Sequence, residues 1–497
     1  MHGLKSRIEA SLRNPISDDR TIDPMRELAG VLSAFGLEPG AGGGQVTFSG
    51  RDPIVSSPLP LATMAAVSLM AKAVAVADLW RFRTGETQDL SVCLGQALHR
   101  LCPFYDRKWE LLNGYPPGLP HDPGNPFITH PMYRTRDGRW IQFANIYPRT
   151  RTAALSFLGC SDDPHAVGEA IASWDGMALE EAASRAGLQA TIIRSTEEFL
   201  ATEQFTHLAD APLVEIEKIG DSPPEPFSPS PRAPLEGVRA LGLGHVIAGS
   251  GLGRALAYHG ADVLNVWRPL DFEMDLIYCT ANVGLRSATL DLGQAEGMDR
   301  FRGLAREADV FFANRRPGFL NQARLDAAEM ALARPGIIHV EMSLYGPTGP
   351  WSNRVGFDNN AGGVTGVHTL EGSADAPRQT EIGVVNDYAM AWLSSVAVMT
   401  ALKRRAIEGG SYRIRISLAR LSLWLLQIGI FDKAWARSTA DGQGEHAYPA
   451  PELFHAETPC GDYQGVTDQV QMSRTPGSYR FPLVPRGSGR AEWLERD

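Results

Sequence analysis

The sequence predicts an α/β protein: a doubly wound parallel sheet together with a smaller α+β unit that carries a β-hairpin. Three observations lead there. Between residues 237 and 343 short apolar strands (237–244, 261–266, 287–292, 309–313, 337–343) alternate with helical stretches (253–259, 295–307). That spacing places crossover helices on the faces of a parallel sheet and gathers ligand atoms at its carboxyl ends. Residues 222–234, SPPEPFSPSPRAP, interrupt regular structure and predict a linker. Before it, residues 132–144, MYRTRDGRWIQFA, set an Asp137-Gly138 turn between aromatic and aliphatic residues, the signal of a hairpin.

A chain of 497 residues is too long for one ordinary core. The divisions expected are a connector with a short helix (1–58), a region holding the small unit (59–221), the linker (222–234), the large α/β domain (235–440) and a polar, aromatic tail (441–497) that wraps the surface or stays mobile. In the first of these, Gly40, Gly42, Gly43 and Gly44 read as a flexible connector, because a phosphate loop needs a preceding strand and a following Lys-Ser/Thr. Residues 483–488 of the tail, LVPRGS, spell a thrombin-type cleavage site.

Hydrophobic content of 43% with 21% charged residues indicates a globular protein, and a net charge of −10 argues against a nucleic-acid surface. No uncharged apolar run reaches eighteen residues; the nearest, 58–70, reads as a buried helix, so no membrane span is expected. Residues 1–20 are polar and mixed, unlike a secretory signal, which makes a cytoplasmic enzyme the expectation. Cys93, Cys102, Cys160, Cys279 and Cys460 lie far apart with no metal-ligand spacing, so no metal is expected either.

The chain is organised around residues 383–425. They read as a turn carrying Asp387, an uncharged helix from 388 to 402, a Gly-Gly turn and a half-buried strand. A helix apolar nearly all round belongs in a core. Residues 59–101 repeat the arrangement: with Gly85 set on Gly409, Leu90 falls on Ile414, Val92 on Ile416 and Leu94 on Leu418, all at one offset. Two copies imply duplicated halves. Thr63 then stands where the second copy has Asp387. An acid before a first helical turn is ordinarily a cap. The same placement is expected to keep a carboxylate ionised and aimed outward, as a nucleophile requires.

Five motifs between 234 and 425 carry a family likeness: PLEGVRALGLGHVIAGSGLGRALAYHGADVLNVWRP, GLRSATLDL, ADVFFANRRPGFL, HVEMSLYGPTGPWSNRVGFD and the Asp387 helix with its Gly turn and strand. In this order they resemble the class III CoA-transferases, which include carnitine-CoA transferase, formyl-CoA transferase and α-methylacyl-CoA racemase. Residues 59–226 resemble the later part of the same family, so the chain looks like a back half followed by a front half. The resemblance implies a Rossmann-like large domain, acyl-CoA as substrate with no permanently bound cofactor, a carboxylate acceptor, and a homodimer. It implies that Asp387 attacks the acyl thioester. It places His245, Val246 and Ala248 along the pantetheine, Arg268 and Arg286 at the CoA phosphates, and Asn314, Arg315 and Arg316 on the adenine side, with the arginines converging at one rim. Asp358 is expected to bind the catalytic loop or to cap a helix.

Departures narrow the reaction. Ile247 stands where formyl-CoA-type enzymes carry Gln, Leu285 replaces a Lys, and Phe357 replaces the His beside Asp358 that a two-base racemase needs. A nicotinamide oxidoreductase, suggested by Gly249-Ser250-Gly251-Leu252-Gly253, lacks the third Gly at Arg254 and the strand-ending acid at Trp267-Arg268. A non-catalytic CoA-binding relative remains the third alternative.

Overall fold

The computed structural model describes residues 2–18, 20–118, 124–440 and 442–495. In chain order, β1 (Gly43–Ser49) leads to α1 (Leu61–Thr84), β2 (Gln88–Cys93) and α2 (Leu94–Leu101). The small unit follows with β3 (Met132–Arg134), β4 (Trp140–Gln142) and β5 (Thr191–Ile192), an antiparallel sheet whose first two strands flank the Asp137-Gly138 turn. Next come β6 (Glu215–Gly220), β7 (Arg239–Leu243), α3 (Ala248–Ala257), β8 (Asp262–Trp267), β9 (Arg286–Thr289), β10 (Val310–Ala313) and β11 (Ile338–Ser343). The last stretch holds α4 (Asp358–Thr365), α5 (Asn386–Glu408), β12 (Ser411–Ser417), α6 (Leu418–Ile428), β13 (Leu453–Thr458), β14 (Gly461–Val466) and β15 (Val470–Met472).

A seven-stranded mixed sheet runs β9-β8-β7-β10-β11-β12-β6. Every neighbouring pair is parallel except β12 with β6. Strand order reverses between β7 and β10, which opens a crevice above their carboxyl ends. Because β6 precedes the proline-rich segment and yet joins this sheet, residues 222–234 cross the sheet's edge without dividing two cores. Nor is the segment loose: Glu225 bridges Arg334 at 2.6 Å, and Arg83 donates to the carbonyls of Ser228, Pro234 and Glu236.

The repeat is physical. Helices α1 and α5 pack side by side in one core, tied by Lys403 Nζ to Asp78 at 2.8 Å. Each ends at a glycine with positive φ, Gly85 at 81° and Gly409 at 69°, where a Cβ would be strained. Each then feeds a strand with one parallel and one antiparallel neighbour: β2 lies between β1 and β15, β12 between β11 and β6. The stretch expected to be a flexible connector is instead a tight turn into β1; a Cβ on Gly44 would strike the Gln88 backbone, so only glycine lets the two strands meet.

Helix α1 takes in most of 58–70 and runs on past Lys72, so that it is long and apolar enough by composition to cross a membrane, but it is a core helix, with 94% of its apolar window buried. The tail is built in. Strand β15 completes the first sheet, Asp468 is buried against Lys72, and Leu483 of the LVPRGS stretch is 1% exposed while Val484 accepts from the Tyr278 hydroxyl.

Candidate active site

Asp387 lies in the first turn of α5, not ahead of it, and is 7% exposed. The rings behind it hold the turn still. Tyr388 stacks on Trp392 at 5.8 Å, its hydroxyl meets Thr280 Oγ1 at 3.0 Å, and the buried Arg100 guanidinium sits 4.7 Å above its ring. The helix is capped from elsewhere. Asp358, first residue of α4, accepts the N–H groups of Asn386 (2.5 Å), Asp387 (2.9 Å) and Val385 (3.3 Å). It therefore caps a helix, and that helix is α5, whose first turn carries Asp387.

The two acids share one low-dielectric site and divide its resources unequally. Burial pushes Asp358 up to about 6, against the pull of the three backbone donors. Asp387 is held well above its ordinary 3.8, first by burial and then by the negative charge of Asp358. No donor among the described residues reaches the Asp387 carboxyl oxygens. The backbone donors favour the anion at Asp358, and Asp387, which has none, is pushed toward its protonated form. Burial and the Asp358 charge thus work against the ionised Asp387 expected from the sequence, and three N–H groups that could have stabilised its anion are bound by Asp358.

Above the crevice the predicted CoA-side residues fall in two groups. His245, Val246, Ala248, Arg268, Asn314, Arg315 and Arg316 lie just past the carboxyl ends of β7, β8 and β10. Asn314 clamps the backbone of His245, accepting its N–H at 2.9 Å and donating to its carbonyl at 2.7 Å. Arg268 and Arg315 both grip Asp271, at 2.7 and 3.1 Å. Although burial raises Asp271, these guanidinium groups hold it down at about 2. Arg316 donates to the Gly187 carbonyl at 2.9 Å and so links the rim to the small unit.

Arg286 does not join them. It begins β9, at the sheet's amino-terminal edge, paired with Asp262 at 2.9 Å and donating to the Glu492 carbonyl. A residue that precedes a strand lies at its foot, so the expected convergence of arginines holds for Arg268, Arg315 and Arg316 only.

Two residues escaped the sequence reading. Tyr147, from the small unit, donates its hydroxyl to Glu273 Oε1 at 2.7 Å, and Glu273 Oε2 accepts from Val246 at 2.8 Å. Burial, the Glu273 charge and bond, and the Asp387 charge all raise the Tyr147 phenol. Glu273's only signal in sequence was its position on the loop that leaves Arg268. Cavities of about 820 and 480 Å³ lie elsewhere, one beneath the sheet between residues 225–239 and the tail, the other at the entrance of α1; neither is lined by Asp387. Among the described residues no cluster of three His, Cys, Asp or Glu side chains is arranged for a metal ion.

Residues 235–460 match the profile of CoA-transferase family III. An acetyl-coenzyme A transferase of Hypoxylon pulicicidum is 29% identical over 326 residues, covering 61% of this chain and 55% of that one. The alpha subunit of a succinyl-CoA–L-malate CoA-transferase of Chloroflexus aurantiacus is 26% identical over 226 residues, 42% of this chain and 53% of its own. A CAIB/BAIF family protein from Brucella suis aligns in structure with a TM-score of 0.36 and 30% identity, covering 39% of this chain and 55% of that one. The chain spans about half the length of the curated relatives it matches.

Proposed function

We propose that the protein is an acyl-CoA:carboxylate CoA-transferase that works through an aspartyl-CoA thioester on Asp387. The observation that carries this is the unequal acid pair: Asp358 takes the N–H groups of Val385, Asn386 and Asp387, which leaves the Asp387 carboxyl unengaged and its pKa raised. Once it gives up its proton, a carboxylate with a raised pKa is a stronger nucleophile than an ordinary one. It attacks the acyl carbonyl; the C–S bond breaks, CoA thiolate leaves, and an acyl-aspartyl anhydride remains. The thiolate then attacks the aspartyl carbonyl, expelling the donor's carboxylate and forming aspartyl-CoA. An acceptor carboxylate repeats both steps in reverse and departs as its CoA thioester.

A carboxylate is weak toward thioesters, so positioning carries the rate. The Rossmann-like strand order supplies it: Arg268, Arg315 and Arg316 receive the phosphates and adenine side of CoA, while the turn from His245 to Ala248 guides the pantetheine. Carboxylate acceptors are favoured by two Chloroflexus aurantiacus relatives, the succinyl-CoA–L-malate CoA-transferase alpha subunit and a succinyl-CoA–D-citramalate CoA-transferase 29% identical over 213 residues. The neighbour of Asp358 is Phe357, which packs 5.6 Å from Tyr147 and provides no second base for racemisation. The same reading takes the first repeat as a silent copy with Thr63 in the nucleophile's place, and the whole as a cytoplasmic homodimer.

Incubation with acetyl-CoA followed by hydroxylamine or borohydride is expected to label Asp387. Asp387→Ala is expected to lose at least about a thousandfold in transfer rate, about 4 kcal/mol of barrier. An unlabelled protein together with a fully active variant would overturn the reading.

A further inference from the structure

We propose that Glu273 is a positioning residue for the CoA thioester, one that fixes the strained turn at Val246 and fastens the small unit's Tyr147 against it. The proposal rests on the transferase reading above, because that reading makes this turn the pantetheine wall. The Glu273 side chain is 1% exposed. Its Oε1 accepts from the Tyr147 hydroxyl at 2.7 Å and the Met274 N–H at 3.0 Å, its Oε2 from the Val246 N–H at 2.8 Å, and His245 Nε2 stands 3.6 Å from Oε2.

Val246 has φ of 58°, in the left-handed region that a β-branched residue avoids. Such strain persists only where the surroundings impose it, and it concentrates where a backbone must meet a ligand. What imposes it here is the hydrogen bond from the Val246 N–H to Glu273, aided by the Asn314 clamp on His245. The other carboxylate oxygen holds Tyr147, whose ring lies 5.5 Å from His245 and 5.6 Å from Phe357, the residue before Asp358. Glu273 thus joins the sheet's crevice to the small unit without touching the nucleophile. Only a carboxylate fits, since donors face both oxygens; Glu273→Gln would turn an NH₂ toward one of them.

The test uses the full chain, with free CoA and acetyl-CoA as probes. Glu273→Gln is expected to raise the Kd for CoA and the KM for acetyl-CoA at least tenfold, leaving kcat within about threefold and the KM for the acceptor carboxylate unchanged. Tyr147→Phe is expected to give a smaller rise, about threefold, and the double variant to be no worse than Glu273→Gln alone, because the two act through one contact. Val246→Gly adopts the same φ without strain and is expected to restore most of the CoA affinity in the Glu273→Gln background. Unchanged CoA affinity in Glu273→Gln would overturn the proposal. So would multiplicative effects of the two single variants, or a parallel loss of kcat, acceptor affinity and melting temperature that Val246→Gly fails to rescue. CoA binding is read by calorimetry without turnover, so Glu273-dependent binding in a protein whose Asp387 never labels would sink the transferase reading and leave this one standing.

Discussion

The two repeats solve the same problem at their helix entrances and differ in whether the repeat position carries an acid. At α1, Asp52 accepts the N–H groups of Ala62 and Thr63, at 3.3 and 2.6 Å; at α5, Asp358 does the same for residues 385–387. Burial raises both capping acids to about 6. Neither is the acid at the repeat position, which is Thr63 in one copy and Asp387 in the other. Capping is thus a property of the architecture, and the second carboxyl at α5 is surplus to it. A buried, donorless acid that stability does not require is the kind of group a reaction retains.

The copies also differ inside. Lys72 lies in the middle of α1 where α5 has Val396, one repeat offset away. Its ammonium is buried against Asp468 from the tail, with Arg100 Nε 3.5 Å from the same carboxylate. The first helix therefore depends on a distant acid that the second does without. Asp468→Ala leaves two buried cations short of a partner and is expected to cost about 3–5 kcal/mol, read from denaturant midpoints. A loss below 1 kcal/mol would mean that the two helices are held alike.

Thr63→Asp rebuilds the acid pair at α1, where Thr63 is 1% exposed. With the Ala62 and Thr63 N–H groups already taken by Asp52, about 1–3 kcal/mol of stability is expected to be lost. The loss should be greater at pH 8 than at pH 5, since the charged form is the one burial penalises. In an Asp387→Ala background the substitution is expected to restore no transfer, because Arg268, Arg315 and Arg316 lie past strands of the seven-stranded sheet, which holds the second copy's strand and not the first's; restored turnover would show that the copies are functionally interchangeable.

Asp358→Asn separates the capping role from the electrostatic one. Losing part of the cap should cost about 0.5–2 kcal/mol. Losing the neighbouring charge lowers the Asp387 pKa. Because the nucleophile reacts as the anion, the wild-type kcat/KM is expected to climb as pH rises through that raised value, and the variant's profile to reach its plateau at lower pH. An unmoved acid limb would mean that the two carboxyls are not coupled. Stability carries the opposite sign: Asp358 holds a proton more tightly when folded, about 6 against 3.8, so its contribution is full below 3.8 and is lost as pH rises through 6.

Much of this was legible in the chain. The repeat could be read because Gly85 and Gly409 end apolar helices and the next strands alternate strictly, a pattern that local physics imposes. Asp387 could be found because it is the only charge at the mouth of such a helix. Its protonation could not, since that depends on Asp358, nearly thirty residues away, taking the donors first. Arg286 was misassigned by type; its place at the start of β9 already pointed to the sheet's foot. Glu273 and Tyr147 meet across 126 residues of chain, and no periodicity records such a contact.

Strand β15 closes a sheet that begins at Gly43, with Met472 paired to Leu90. Hydrogen bonds between segments so far apart form late, because the intervening loop must be closed first. While the polypeptide is being synthesised, the first half stands with an open strand edge and an unpaired Lys72 until residue 472 has left the ribosome. Nascent chains halted earlier should accordingly be the species that chaperones capture.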